Sequence, residues 1–100
     1  MRAVLVLLLL AKIANAGELC TANAVHHGAA IDLDLVRADL HDALRLLADT
    51  AKLNLVVGQD VAGTVTLKLK RVPWDAALCT IVALHHLKAT LDDGILLVRK

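Results

Sequence analysis

The side chains able to act on another molecule are few in these 100 residues: two cysteines, five histidines and a scatter of charges. Cys20 and Cys79 could join as one disulfide closing a loop of about 60 residues, worth ~2–4 kcal/mol. Two free thiols, or thiols paired between chains, fit the sequence equally, because spacing does not show that two Cβ atoms meet. Four histidines form two pairs, His26-His27 and His85-His86. Metal ligation needs converging side chains, and adjacent residues on a helix point about 100° apart. One histidine from each pair would have to meet Cys79, so surface histidines, with His85 partly packed, are the plainer reading. Cys79 itself stands off the main apolar stripe of its helix, where a structural or idle thiol is expected rather than a catalytic one. Asp92 and Asp93 are adjacent carboxylates, whereas an acid–base pair must oppose each other across a substrate. No nucleophile motif, phosphate loop or Ser/His/Asp set is present. No catalytic residue, metal ligand or cofactor-binding residue is therefore assigned, and no cofactor is expected.

What remains is surface. Lys68, Lys70 and Arg71 make a short basic face, and Asp32 and Asp34 an acidic one. Solvated strand faces are the ordinary explanation. The functional reading is a contact surface for a protein partner, by strand addition at an exposed sheet edge.

The elements that hold these residues follow from periodicity. "IDLDL" (31–35) alternates, with Ile31, Leu33 and Leu35 on one side, as in a half-buried strand. In the next stretch Leu40, Ala43, Leu44, Leu47 and Ala51 recur at helical spacing, with Asp39 as N-cap and Asp42 favouring the positive helix end. "LNLVV" (53–57) is a second strand and "GQDVAG" (58–63) a loop. "TVTLKLK" (64–70) is the most regular strand. Pro73 opens a second helix, where its missing N–H costs nothing. Trp74, Leu78, Ile81, Val82 and His85 share one stripe, and Trp74 is assigned as the core anchor between helix and sheet. Asp93-Gly94 between alternating runs marks a hairpin. The order is strand-helix-strand-strand-helix-strand-strand. No long repeat stands out, although "LVRADLHDALRLL" and "LKRVPWDAALCTI" echo each other.

The amino terminus reads differently. Arg2 precedes an apolar run from Ala3 to Ala11, and Ala14-Asn15-Ala16 is a small-x-small site, the order of a secretory signal peptide over 1–16. The run is about half the ~20 residues that span a bilayer. A second such site, Ala22-Asn23-Ala24, would discard Cys20 if used. Residues 17–30 read as an extended lead-in and 31–100 as the domain. The formal charge is +1, with 11 basic and 10 acidic residues. Removing Arg2 and Lys12 brings it to about −1. A nearly neutral chain without Phe or Tyr lacks both the electrostatic footprint and the stacking surfaces that nucleic acids need.

Taken together, "IDLDLVRADLHDALRLLADTAKLNLVV", "VAGTVTLKLKRVPWDAAL" and "LDDGILLVRK" resemble the secretin and TonB short N-terminal (STN) domain over residues 31 to about 99. The resemblance implies an α+β fold, with two helices between a two-stranded and a three-stranded sheet. It implies a protein-contact domain in the periplasm, associated with outer-membrane machinery: secretin-type secretion or pilus systems, or TonB-dependent transport and signalling. The implied partner is an envelope protein, such as a secretin or an inner-membrane secretion or regulator component. The sequence ends at Lys100 without a pore or barrel region, so a stand-alone exported module is expected, with no membrane span after signal cleavage. His86 departs from the pattern, in which glycine often ends the helix. A small-ligand or metal-binding periplasmic protein and a truncated secretin relic are the alternative readings.

Overall fold

A computed structural model describes residues 19–21 and 26–100. The expected signal peptide over 1–16 lies outside the described residues. The chain forms β1 (Ala30–Asp39), α1 (Leu40–Ala51), β2 (Asn54–Val57), β3 (Thr64–Pro73), α2 (Trp74–Leu84), β4 (Lys88–Asp92) and β5 (Ile95–Arg99). β1 and β3 pair as an antiparallel ribbon, and β2, β5 and β4 lie in that order in a second sheet. β5 runs parallel to β2 and antiparallel to β4. The order and the sheet sizes are those expected from the sequence.

The core lies where the helices meet the sheets. Leu40, Leu44, Leu47, Leu78, Ile81 and Leu96 are its largest fully enclosed side chains, each worth about 1.5–3 kcal/mol of burial. Asp39 starts α1 by accepting from the His41 and Asp42 amides, two of the donors a helix N-terminus leaves free. Ala48 rather than Ala51 completes the buried stripe of α1. The β4–β5 turn holds Asp93 and Gly94 both at positive φ, the geometry that closes a two-residue hairpin with the native twist.

β1 and β3 are longer than their alternating patterns, because each carries a bulge. Ile31 pairs with Val72 but Leu33 with Leu69, so Lys70 and Arg71 together oppose Asp32. Leu35 pairs with Leu67 but Ala38 with Val65, so Val36 and Arg37 together oppose Thr66. Arg37 and Arg71 take φ of 50° and 54°, a position usually given to glycine. Each bulge amide is met by a side chain across the ribbon: Arg71 N–H donates to Asp32 Oδ1 at 2.8 Å and Arg37 N–H to Thr66 Oγ1 at 2.8 Å. Each bulge breaks the period-two signal while pairing continues, so periodicity stops at Leu35 and Lys70 although the strands do not.

The two bulges are one motif used twice. Moving 34 positions along the chain carries Arg37 to Arg71, and Lys52 to His86, which are left-handed residues just past α1 and α2. The same step carries β1 onto β3 and α1 onto α2. Buried Ala43 and Leu44 become buried Ala77 and Leu78. The echo visible in the sequence is thus a strand-helix-strand unit repeated about an internal two-fold axis, with β5 between the two copies of its last strand. His86 at φ 55° occupies the conformation that glycine adopts most freely at a helix C-terminus.

Candidate interaction surfaces

Two regions gather the polar groups. The first is the outer face of the β1–β3 ribbon. Asp34 lies directly across from Lys68, and Asp32 across from the Lys70–Arg71 bulge. All five candidate contact residues, Asp32, Asp34, Lys68, Lys70 and Arg71, are exposed. The acidic and basic faces read from the sequence are therefore one mixed-charge face, because antiparallel pairing sets the two strands side by side. Asp32 is not wholly free for a partner, since one carboxylate oxygen already accepts the Arg71 amide. Asp32, Leu33, Asp34, Lys68, Leu69 and Lys70 frame a depression of about 160 Å³, below the ~300–1,000 Å³ of small-molecule sites. A surface this shallow suits a protein chain better than a small ligand.

The second region is where the lead-in meets α2. Cys20 and Cys79 form a disulfide with Cα atoms 5.4 Å apart. Beside it, Leu19 N–H donates to the Ala89 carbonyl of β4 at 3.3 Å. Further along, Asp75 gathers the lead-in onto the helix start. Its Oδ1 accepts from Gly28 N–H at 3.3 Å and from Ala76 N–H at 3.1 Å. Its Oδ2 lies 3.5 Å from His26 Nδ1. Trp74 N–H donates to the Ala29 carbonyl at 3.0 Å. Residues 19–21 and 26–29 therefore act as a strap across α2 and the edge of β4.

This arrangement buries one carboxylate and changes two sequence readings, those of His26 and Trp74. Asp75, in the first turn of α2, is buried, only 7% exposed. The Gly28 and Ala76 amides and the neighbouring His26 ring make that burial tolerable. His26 is half-buried against Asp75 rather than a free surface histidine. Trp74 is half-buried and packs on the rim of the core, not at its centre. The enclosed positions are aliphatic, and Gly28 covers the indole, with no room for a side chain between its backbone, the Trp74 ring and the Asp75 carboxylate.

The remaining histidines are dispersed. His41 Nε2 meets the Val61 carbonyl, the His85 ring lies against Gly63, and His27 and His86 are exposed. Among the described residues no group of three or more His, Cys, Asp or Glu side chains converges as a metal site would require. An open groove of about 550 Å³ runs along α2, lined by His26, Ala76, Cys79, Thr80, Ala83 and Leu84. Among the described residues, no helix is long and apolar enough to cross a membrane.

No family model matches the chain. It is 36% identical over 76 residues to the fimbrial assembly protein PilQ of Pseudomonas aeruginosa, covering 76% of this chain and 11% of that protein. It is 49% identical over 55 residues to the DNA utilization protein HofQ of Escherichia coli K12, covering 55% of this chain and 13% of that one. Against the type IV pilus biogenesis and competence protein PilQ of Neisseria gonorrhoeae it is 33% identical over 81 residues, covering 81% of this chain and 11% of that protein. The chain thus spans about a tenth of the length of these relatives. Among solved structures, the N0 domain of the type II secretin from enterotoxigenic Escherichia coli has the same fold. Its TM-score is 0.65 at 13% identity, over 72% of this chain and 95% of that one. The V. cholerae type IV competence pilus secretin PilQ matches with TM-score 0.59 and 31% identity, over 67% of this chain and 16% of that one. Fold and sequence define one class, a secretin-type N-terminal domain. Within that class the sequence similarity is to PilQ and HofQ.

Proposed function

We propose that this chain is a periplasmic protein-contact module of a type IV pilus or competence secretin system. The similarity to PilQ over three quarters of the chain carries the reading. It favours the secretin option over TonB-dependent transport, because the matched proteins are named for fimbrial assembly, pilus biogenesis and competence. The domain works without catalysis, by presenting the charged β1–β3 ribbon to a protein of the envelope machinery. Asp34 beside Lys68, and Lys70 and Arg71 at the bulge, offer paired charges that fix orientation more than affinity. Export through the 1–16 signal peptide brings the chain to the compartment where its disulfide forms.

The test is capture from an envelope extract of the source cell. The immobilised chain is expected to retain a secretin or another pilus-machinery component. The triple variant Lys68→Glu, Lys70→Glu, Arg71→Glu is expected to lose it. Equal retention by the variant refutes the ribbon as the surface. Retention of no envelope protein by the parent refutes the module reading itself.

A further inference from the structure

β4, with the sequence KATLD, forms one edge of the three-stranded sheet. Exposed edges invite pairing with another chain, and proteins commonly cover them with a loop. Here the cover is the strap: Leu19 donates to the Ala89 carbonyl, and the neighbouring Cys20 is bonded to α2. Alternate residues of an antiparallel strand turn their backbone groups to alternate sides. The Leu19 contact marks Ala89, and with it Leu91, as the residues whose backbone groups face outward along the edge. Lys88, Thr90 and Asp92 share the other parity, and their side chains lie on the sheet face away from buried Ala89.

That strand is self-complementary. Laid antiparallel against a second copy with Thr90 on the two-fold axis, Lys88 falls opposite Asp92 of the second copy, and Asp92 opposite its Lys88. Ala89 falls opposite Leu91, the pair whose outward amides and carbonyls can be exchanged. Thr90 meets Thr90 as the close, non-hydrogen-bonded pair, an arrangement favourable for threonine. Opposite charges directly across a strand pair stabilise it, and like charges oppose it. Register, hydrogen-bond parity and charge therefore agree on one alignment.

We propose that β4 is a self-association edge and that the disulfide-held strap is its cover. With Cys20 and Cys79 joined, Leu19 occupies the edge and the chain stays single. A dithiol reductant opens it: the reductant takes over the disulfide, and two electrons and two protons leave thiols at Cys20 and Cys79. The strap then lifts, and two copies join through β4 into one continuous sheet. The row formed by Val56, Leu97 and Thr90 continues across the axis, placing apolar surface beside the new contact.

The experiment measures mass in solution by light scattering, from about 10 μM to about 1 mM, a range that reaches millimolar Kd. It uses the chain as recovered from a periplasm. The parent is expected at the mass of one chain. Cys20→Ser with Cys79→Ser is expected to double that mass as concentration rises. Adding Lys88→Asp should return it to one chain, and adding Asp92→Lys to that variant should restore the doubling. In the same serine background, Thr90→Cys should form a cross-linked dimer on oxidation and Asp92→Cys should not, because only residue 90 meets its own copy. Leu19→Pro keeps the disulfide and removes the covering amide, so it should also associate; it serves if the serine variant does not fold. A single mass in both the serine and the Leu19→Pro variants overturns the proposal. So does doubling that persists with Lys88→Asp, which would place the contact elsewhere, and so does equal cross-linking at 90 and 92.

Discussion

Opening the Cys20–Cys79 bond should remove much of the stability of this domain. The bond joins residues 59 apart in sequence, and the loop-closure relation for that length gives about 4 kcal/mol. A domain of this size has ~5–15 kcal/mol in total, so the loss is a large fraction of it. The expected fall in Tm is at least about 15 °C. Urea unfolding of the parent and of Cys20→Ser with Cys79→Ser provides the measurement, at concentrations low enough to keep both single. Trp74 is the one aromatic residue of the chain and lies under the strap, so its fluorescence follows both strap and core. A second signature is the slope of free energy against urea. The cross-linked unfolded chain stays more compact, so the serine variant should show the steeper dependence. A loss below about 1 kcal/mol with an unchanged slope would refute the reasoning, since the bond would then not be constraining the unfolded chain.

Asp75→Ala leaves the Gly28 amide and His26 without their acceptor and should cost about 2–4 kcal/mol, given ~1.5–3 for a hydrogen bond to a charged group. Asp75→Asn keeps an acceptor and should cost about 1 kcal/mol; urea midpoints separate the two. His86→Gly should raise stability by about 0.5–1 kcal/mol by removing left-handed strain, less the extra chain entropy of glycine, whereas His86→Val should lower the Tm. Asp32→Ala should cost about 0.5–1 kcal/mol because it unpairs the Arg71 bulge amide. Asp34→Ala, with no such amide to serve, should stay within about 0.5 kcal/mol, and a reversed order of these two urea midpoints would contradict the bulge assignment.

Most of the fold could be read from the chain because alternation and helical spacing are local signals. "TVTLKLK", the Leu40–Leu44–Leu47 stripe and Asp93-Gly94 each report their own element without help from distant residues. The bulges could not be read so directly, since they depend on which residues face each other across the ribbon. A trace existed nonetheless: Arg37 and Arg71 each follow a Leu-x-Leu alternation and precede a D-A or A-A-L helix, 34 positions apart. The burial of Asp75 left no local trace at all. Its acceptors are used by Gly28 and His26, which come from a segment without periodicity, and only the folded strap brings them there. The merging of Asp32, Asp34, Lys68 and Lys70 into one face needed the antiparallel register, which alternation alone leaves open.

The disulfide also decides how the protein responds to being stretched. A pull on the two ends of the oxidised chain enters at Cys20, crosses the two sulfur atoms to Cys79 and leaves through the rest of α2, β4 and β5. Everything between those cysteines hangs in a closed loop whose backbone carries no direct tension. About 200 Å of contour length is thereby withheld from extension, at ~3.4 Å per residue. β5 is paired on both sides, to β2 and to β4, so drawing the end out loads those two strand pairs, whereas β1 and β3 form a separate sheet. The charged ribbon can therefore remain folded while the end of the chain is drawn out.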